Sequence, residues 1–358
     1  MPLFTAIDAV SPAISRWQRL LFRDFHIGLL LKLSFVALLA ELSGGGGGSG
    51  SRGFGNAGNL GGHGGHIGDW HPQSPVFSSA ILAAIIVFGI LAFIVGMVIF
   101  YLSCRMKFVE FHIAATEDKL VGPAWRRYGP QTWKLFWVTI AIGLLGLIAL
   151  AVVTVPIVLS LMHRGGDWAQ PSGNTILGLI LALLPIVFAW MLIMALVMMV
   201  IRDFMLPVWA LEGATTGQAW QRAREIIERA PGDFAKYALV KAVLRLAVGI
   251  AGGLAWFLSV VISAVPVVAV GAAVYFALRN SGSGATAGMI FLAIAAAAVF
   301  LVWGALLFIV FLGAPLLGLQ CYAVEWLGGR YPLLGNLLWP PPPDYSPVVP
   351  AIAPPLPA

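Results

Sequence analysis

Long apolar stretches alternate with short polar ones along this chain. The apolar stretches fall at about 25–42, 76–104, 133–162, 175–201, 243–266 and 288–320. None shows the every-second-residue alternation of a half-buried strand, and most reach the roughly 20 apolar residues that cross a bilayer as a helix. The pattern predicts an all-α integral membrane protein with six transmembrane helices. The first is short, with Lys32 inside it and Glu41 at its end. The fifth apolar run extends to Leu278, too long for a hydrocarbon core of about 30 Å, and Pro266 is expected to kink it or end its membrane part.

The longest polar-rich stretch, Ile201 to Arg245, has helical rather than random spacing. Ala219, Trp220, Ala223, Ile226, Ile227 and Ala230 recur on one face, while Gln221, Arg222, Arg224, Glu225, Glu228 and Arg229 take the other. Thr216 is the expected N-cap, and Pro231-Gly232 the expected stop. A Trp on the apolar face and arginines opposite suit a helix lying at a membrane surface. Similar amphipathic segments are expected at about 11–22 and 121–128. In the first, Ile14, Trp17, Leu20 and Leu21 face one way and Arg16, Gln18, Arg19 and Arg23 mostly the other.

These segments resemble one another. Gly122-Pro-Ala-Trp-Arg-Arg127 and Gly217-Gln-Ala-Trp-Gln-Arg222 share a Gly-x-Ala-Trp-x-Arg pattern, and Ser11-Pro-Ala-Ile-Ser-Arg16 is a weaker third copy. Each precedes an apolar pair that closes on a segment containing Glu110, Glu212 or Glu325. The expected unit is a surface helix, a span out, a connector and a span back. Three such hairpins form parallel repeats about an axis along the membrane normal.

Composition strengthens the membrane reading. Of the residues, 60% are hydrophobic and 10% charged, against about a quarter charged in soluble domains. The net charge of +6 does not imply nucleic acid, because the basic residues cluster beside spans, where they set topology. With residues 1–24 as a cytoplasmic amphipathic N-terminus, all but Arg52, Arg164 and Arg279 of the 21 Lys and Arg fall on the inner side. The expected location is the cell inner (plasma) membrane, multi-pass, with both termini cytoplasmic. A long stretch precedes 25–42 and no small-x-small site follows it, which argues against a cleaved signal. The two cysteines, Cys104 and Cys321, read as small apolar residues at helix ends.

Two segments stand outside the helical pattern. Residues 43–75 form a Gly-rich outer loop, and 340–358 a Pro-rich cytoplasmic tail of polyproline-II character. The loop holds His63, His66, Asp69 and His71, a composition able to ligate zinc, copper or nickel. A Gly-rich tether, however, lacks the outer shell that orients ligands, so they are weak metal candidates and no cofactor is expected. The tail suits an aromatic groove on a membrane or cytoplasmic protein partner.

From about residue 100 to 330 the chain resembles the membrane domain fused to some glycerophosphodiester phosphodiesterases. The resemblance rests on the Phe204-Met-Leu-Pro-Val-Trp-Ala-Leu-Glu-Gly213 lead-in and the Gly217-x-Ala-Trp-x-Arg222 helix start. In the fused members it implies a separate soluble domain with His and acidic metal ligands. No such domain is found among these residues, so the activity is not expected here.

No nucleophile–base constellation or phosphate-cradling Gly-Lys-Ser turn is visible. The middle and outer halves of the spans hold almost no acid, base or amide, which disfavours an ion-coupled transporter. Lys32, Lys241 and Arg245 are expected to snorkel toward the interface. Gly143, Gly146, Gly249, Gly252 and Gly253 offer small surfaces for close helix packing. The leading expectation is a non-enzymatic membrane scaffold or accessory subunit. A transporter or lipid-handling protein with a pathway between repeats is the second. A membrane enzyme acting on lipid head groups through Glu110, Asp118, Asp203 or Glu212 is the third.

Overall fold

The computed structural model describes residues 4–23, 25–42, 75–164, 173–280 and 286–340. They form eleven α-helices, with no strand among the described residues. These are α1 Val10–Phe22, α2 Ile27–Leu42, α3 Pro75–Thr116, α4 Val121–Arg127, α5 Gly129–Arg164 and α6 Gly173–Val200. After a π-helical turn, Ile201–Met205, follow α7 Leu206–Glu212, α8 Thr216–Arg229, α9 Pro231–Asn280, α10 Thr286–Gly328 and α11 Pro332–Leu338. His63, His66, Asp69, His71 and the tail beyond residue 340 lie outside the described residues.

Five stretches are long and apolar enough to cross a membrane: Ala83–Thr116, Gly129–Ser160, Ile180–Glu212, Pro231–Ala273 and Phe291–Gly328. The protein is membrane-embedded. Pro266 does not end α9, which runs through it over 50 residues in all, about 75 Å.

Local chemistry explains the breaks. Pro207 has no N–H to offer the carbonyl four residues back, and its ring would strike that carbonyl. The wider π-helical turn just before it absorbs the misfit. Gly213, at φ 65°, closes α7 in the left-handed conformation open to glycine. The N-cap of α8 is Thr215, one residue before the expected Thr216. Its hydroxyl accepts from the Gln218 amide while the Gln218 side chain accepts from the Thr215 amide. Pro231 stops α8 by starting α9.

Burial is concentrated at one end of the helices, the core end. There the last turns of α3, the π-turn, α7, the end of α10 and α11 pack with α1, α4 and α8 around Phe108, Phe111, Phe204, Trp209, Tyr237, Tyr322 and Trp326. Tyr237 lies stacked against Trp326 at 4.3 Å and Tyr322 at 5.4 Å. Beyond this core the most apolar stretches of the five long helices bury almost nothing within the chain.

Away from the core the helices pair by close backbone approach. Trp190 Nε1 of α6 donates to Gly146 O of α5 at 2.9 Å. Trp256 Nε1 of α9 donates to Gly304 O of α10 at 3.0 Å. A Cβ on Gly252 would sit 2.7 Å from Phe311 O, so this glycine sets the α9–α10 distance. Gly143, Gly249 and Gly253, expected to do the same, face open space. The small helix α2 wedges between α3 and α10. Gly313 of α10 meets the Ser34 backbone, and Ser103 of α3 donates to Leu39 O.

The first expected span behaves differently from the others. With 16 residues, α2 is about 24 Å long. Glu41 in its last turn pairs with Lys107, nine residues before the end of α3, and with Arg202, ten before the end of α7. Those partners lie only about 14–15 Å from the core ends of their helices. The described part of α2 therefore reaches only part-way up the bundle.

Candidate functional site: an ion-paired layer at the core end

The charged side chains of the spans converge where the chain is most buried. Lys107 Nζ lies 2.8 Å from Glu110 Oε2 and 3.4 Å from Glu41 Oε1. Arg202 Nη1 lies 3.4 Å from Glu41 Oε2, and Arg245 Nη2 reaches the same oxygen. Asp203 Oδ2 accepts from Lys241 Nζ and, at 2.8 Å, from Tyr237 OH. Lys107, Glu110, Arg202 and Asp203 are all buried. The layer thus ties α2, α3, the π-turn and α9 together. The π-turn aims both Arg202 and Asp203 inward, because its wide turn leaves Ile201 to Met205 buried on every side.

Lys241 and Arg245 depart from expectation here. Both are paired within the chain instead: Asp203 holds a largely buried Lys241, and Glu41 holds a partly exposed Arg245, and each ion pair offsets desolvation that snorkelling would otherwise avoid. The sequence does carry a signal. Glu41 and Arg245 both interrupt apolar stretches, and charges inside spans are affordable mainly as pairs.

A second group clamps α1. Arg16, expected on the polar face of its helix, is buried. Its Nε meets Glu325 Oε1 at 2.5 Å, and its Nη1 donates to Ala114 O and Ala115 O at the end of α3. Those carbonyls would otherwise be orphaned at a helix terminus. Glu117 lies 2.9 Å from Arg19 Nη2 and 3.4 Å from Arg16 Nη1. Burial pushes the Glu117 carboxyl up, but the Arg19 hydrogen bond and the charges of Arg16, Arg19 and Arg23 outweigh it and leave it below the ordinary carboxylate value.

A third group joins α7, α9 and α11. Tyr331 OH donates to Glu212 Oε1 at 2.7 Å, and burial with this bond raises the Tyr331 hydroxyl. Arg330 lies over the Trp326 ring at 4.0 Å and bonds Asp233 at 3.1 Å.

The four acids expected to mark an enzyme site are not brought together. Glu110 pairs within α3, Asp203 with α9 and Glu212 with Tyr331, while Asp118 accepts from the Leu120 amide in a turn. Among the described residues no group of three or more His, Cys, Asp or Glu is placed to hold a metal. One oxygen each of Glu110 and Glu325 is buried with no hydrogen bond. Cys104 and Cys321 are buried and form no disulfide.

The described cavity is apolar. It lies between α1, α9 and α10, has a volume of about 150 Å³, and touches none of the four acids. On the surface, Trp220 of α8 points outward, half exposed. Ala219 and Ala223 make the contact instead, because only small side chains let α8 lie flat on the π-turn. Trp133 and Trp137 at the start of α5 are exposed as well, as aromatic side chains are at membrane–water boundaries.

Comparison with curated proteins and with solved structures finds no match. A family model covers residues 4–337, nearly the whole described chain from ahead of α1 to α11. The chain therefore belongs to the family of unknown function DUF7544.

Proposed function

We propose that this protein is a non-enzymatic scaffold or accessory subunit of a membrane assembly. One observation carries the reading: the core end is closed and ion-paired, while the long apolar helices, joined in pairs, leave most of their large apolar side chains exposed. A transport pathway needs a wall of packed helices around it, whereas these helices present their sides to whatever surrounds them. The upper part of α3, from residue 83 to 95, is exposed throughout and is the plainest such surface. The paired carboxylates have the chemistry of struts, each engaged by a base or a phenol, and this supports a structural over a catalytic role.

The same reading takes the chain as three hairpin units. Ala13, Ala124 and Ala219, at matching places in the three related segments, are all buried. Their helices pack in order on the end of a preceding return helix: α4 on α3, α8 on the π-turn and α7, and α1 on α10. With α1 taking the end of the last unit, the units close into a ring. Parity supports six crossings. Arg16 bonds the end of α3 and Glu325 near the end of α10, so α1 and both helix ends share one side. α3 begins some 63 Å away. In this reading the chain crosses between Phe22 and Pro75, and α2 carries the first part of that crossing. The distribution of basic residues supports a cytoplasmic core end, with both termini on that side of a bacterial inner membrane.

A photoreactive amino acid at Phe88 or Phe93 of α3, and at Leu184 of α6, tests the scaffold in native membranes. A discrete adduct with a second protein is expected at one of these faces, and it is expected to form in a chain truncated after Trp339 unless the Pro-rich tail is the docking strand. Lipid adducts alone at all three positions would overturn the scaffold reading.

A further inference from the structure

The crevice beside α1 is not absorbed by the scaffold role. Ile14 and Trp17 of α1 face Leu244 and Val248 of α9 across it, and Pro315 and Gly318 of α10 form its floor. The two lining residues with polar ends turn them away. Trp17 Nε1 donates to Ala314 O at 2.7 Å, and Tyr322 OH to Ala6 O at 3.0 Å. The space therefore meets a guest with carbon alone. An apolar cavity of this size stays dry and takes a guest about as large as benzene. Left empty, its lining forfeits contacts on one side. The crevice is also continuous with the exposed surface: Ile14 at its edge is 46% exposed, and Ala247 and Ala251, which flank Leu244 and Val248 on the same face of α9, are exposed as well. Pro315 and Gly318 keep the floor low, since neither projects a long side chain into the gap.

We infer that this crevice is a lateral binding site for one acyl chain of a bilayer phospholipid, which enters between α1 and α9 and completes the packing of α1. The chain wedges α1, α9 and α10 where no side chain does, so a lipid becomes part of the contact that holds α1 on α10. The bilayer is the source, because the mouth opens on the apolar surface of α9 within Pro231–Ala273, the stretch long enough to span.

The test uses the full chain in nanodiscs containing a phospholipid with a diazirine in one acyl chain. After photolysis, adducts are mapped by peptide mass spectrometry. Adducts are expected on the Ile14–Trp17 and Leu244–Val248 peptides, above the level on the freely exposed Leu181–Leu184 surface of α6. Gly318→Leu should abolish the crevice adducts and leave those on α6 unchanged. A Cβ at Gly318 meets only the Trp17 ring, at 3.4 Å, so the variant begins from a tolerable contact. Val248→Phe fills the crevice from the opposite wall and should give the same result if Gly318→Leu fails to fold. Crevice adducts no stronger than those on α6, or undiminished in a folded filled variant, would overturn the inference. So would labelling by a free diazirine fatty acid that phospholipid cannot displace. None of these outcomes bears on the α3 and α6 adducts that test the scaffold.

Discussion

Arg16 shows most clearly how one side chain organises this molecule. It is buried, and its fork spans Glu325 of α10 and the terminal carbonyls of α3. Removing one partner of a buried pair leaves the other charge uncompensated, at a cost of roughly 3–5 kcal/mol. Arg16→Met should therefore lower the unfolding temperature in mild detergent sharply, and Arg16→Lys should not restore it, because an ammonium cannot reproduce the planar fork. Equal stability of Arg16→Lys and the unaltered chain would contradict this geometry. Glu117 adds a pH dependence. Its folded value lies below the ordinary carboxylate value, so the stability it contributes is present above about pH 4.3. That contribution is lost as pH falls through the lower folded value. Unfolding measured from pH 6 downward should show a shallower acid loss in Glu117→Gln than in the unaltered chain; identical slopes would remove Glu117 from the clamp.

At the scale of elements, the glycines separate into those that set helix distances and those that do not. A Cβ on Gly313 or Gly252 runs into a neighbouring backbone, at Ser34 or Phe311. At Gly146 it meets the mobile end of Met194, and at Gly143 nothing. Alanine substitutions should therefore destabilise in the order Gly313, Gly252, Gly146, Gly143, with the last near neutral. Thermal unfolding of the four purified variants checks the order, and a costly Gly143→Ala would break it. The sequence could not rank these positions, because small-residue spacing marks where helices can approach and not which helix comes. Element type was far more legible. Apolar periodicity and the repeated Ala-Trp segments point to helices where α4 and α8 lie, since both signals are local. The pairing of Glu41 was not legible, because its partners Lys107, Arg202 and Arg245 come from three other segments. The burial of Arg16 was hidden for the same reason: the residue reads as polar-face until α10 and α3 close over it. The outward turn of Trp220 likewise follows from the tight seat of Ala219 and Ala223 rather than from helical spacing.

For the whole molecule, the account rests on an asymmetry between one packed, charged end and long apolar helices with little of their own to pack against. The composition announces the apolar helices, but no stretch of sequence announces that the core collects at one end. That arrangement arises from long-range contacts such as Tyr322 with Ala6 and Tyr331 with Glu212. The claim on which the rest depends is that α1 and α8 share a membrane face and that the chain crosses between α1 and α3. Single cysteines placed at Ser51 and at Arg224 test it, since both native thiols are buried. Labelled in intact cells with a membrane-impermeant maleimide, Ser51→Cys should react directly and Arg224→Cys only after permeabilisation. Reaction of both from the same side would contradict the crossing, and with it the closed ring of three units.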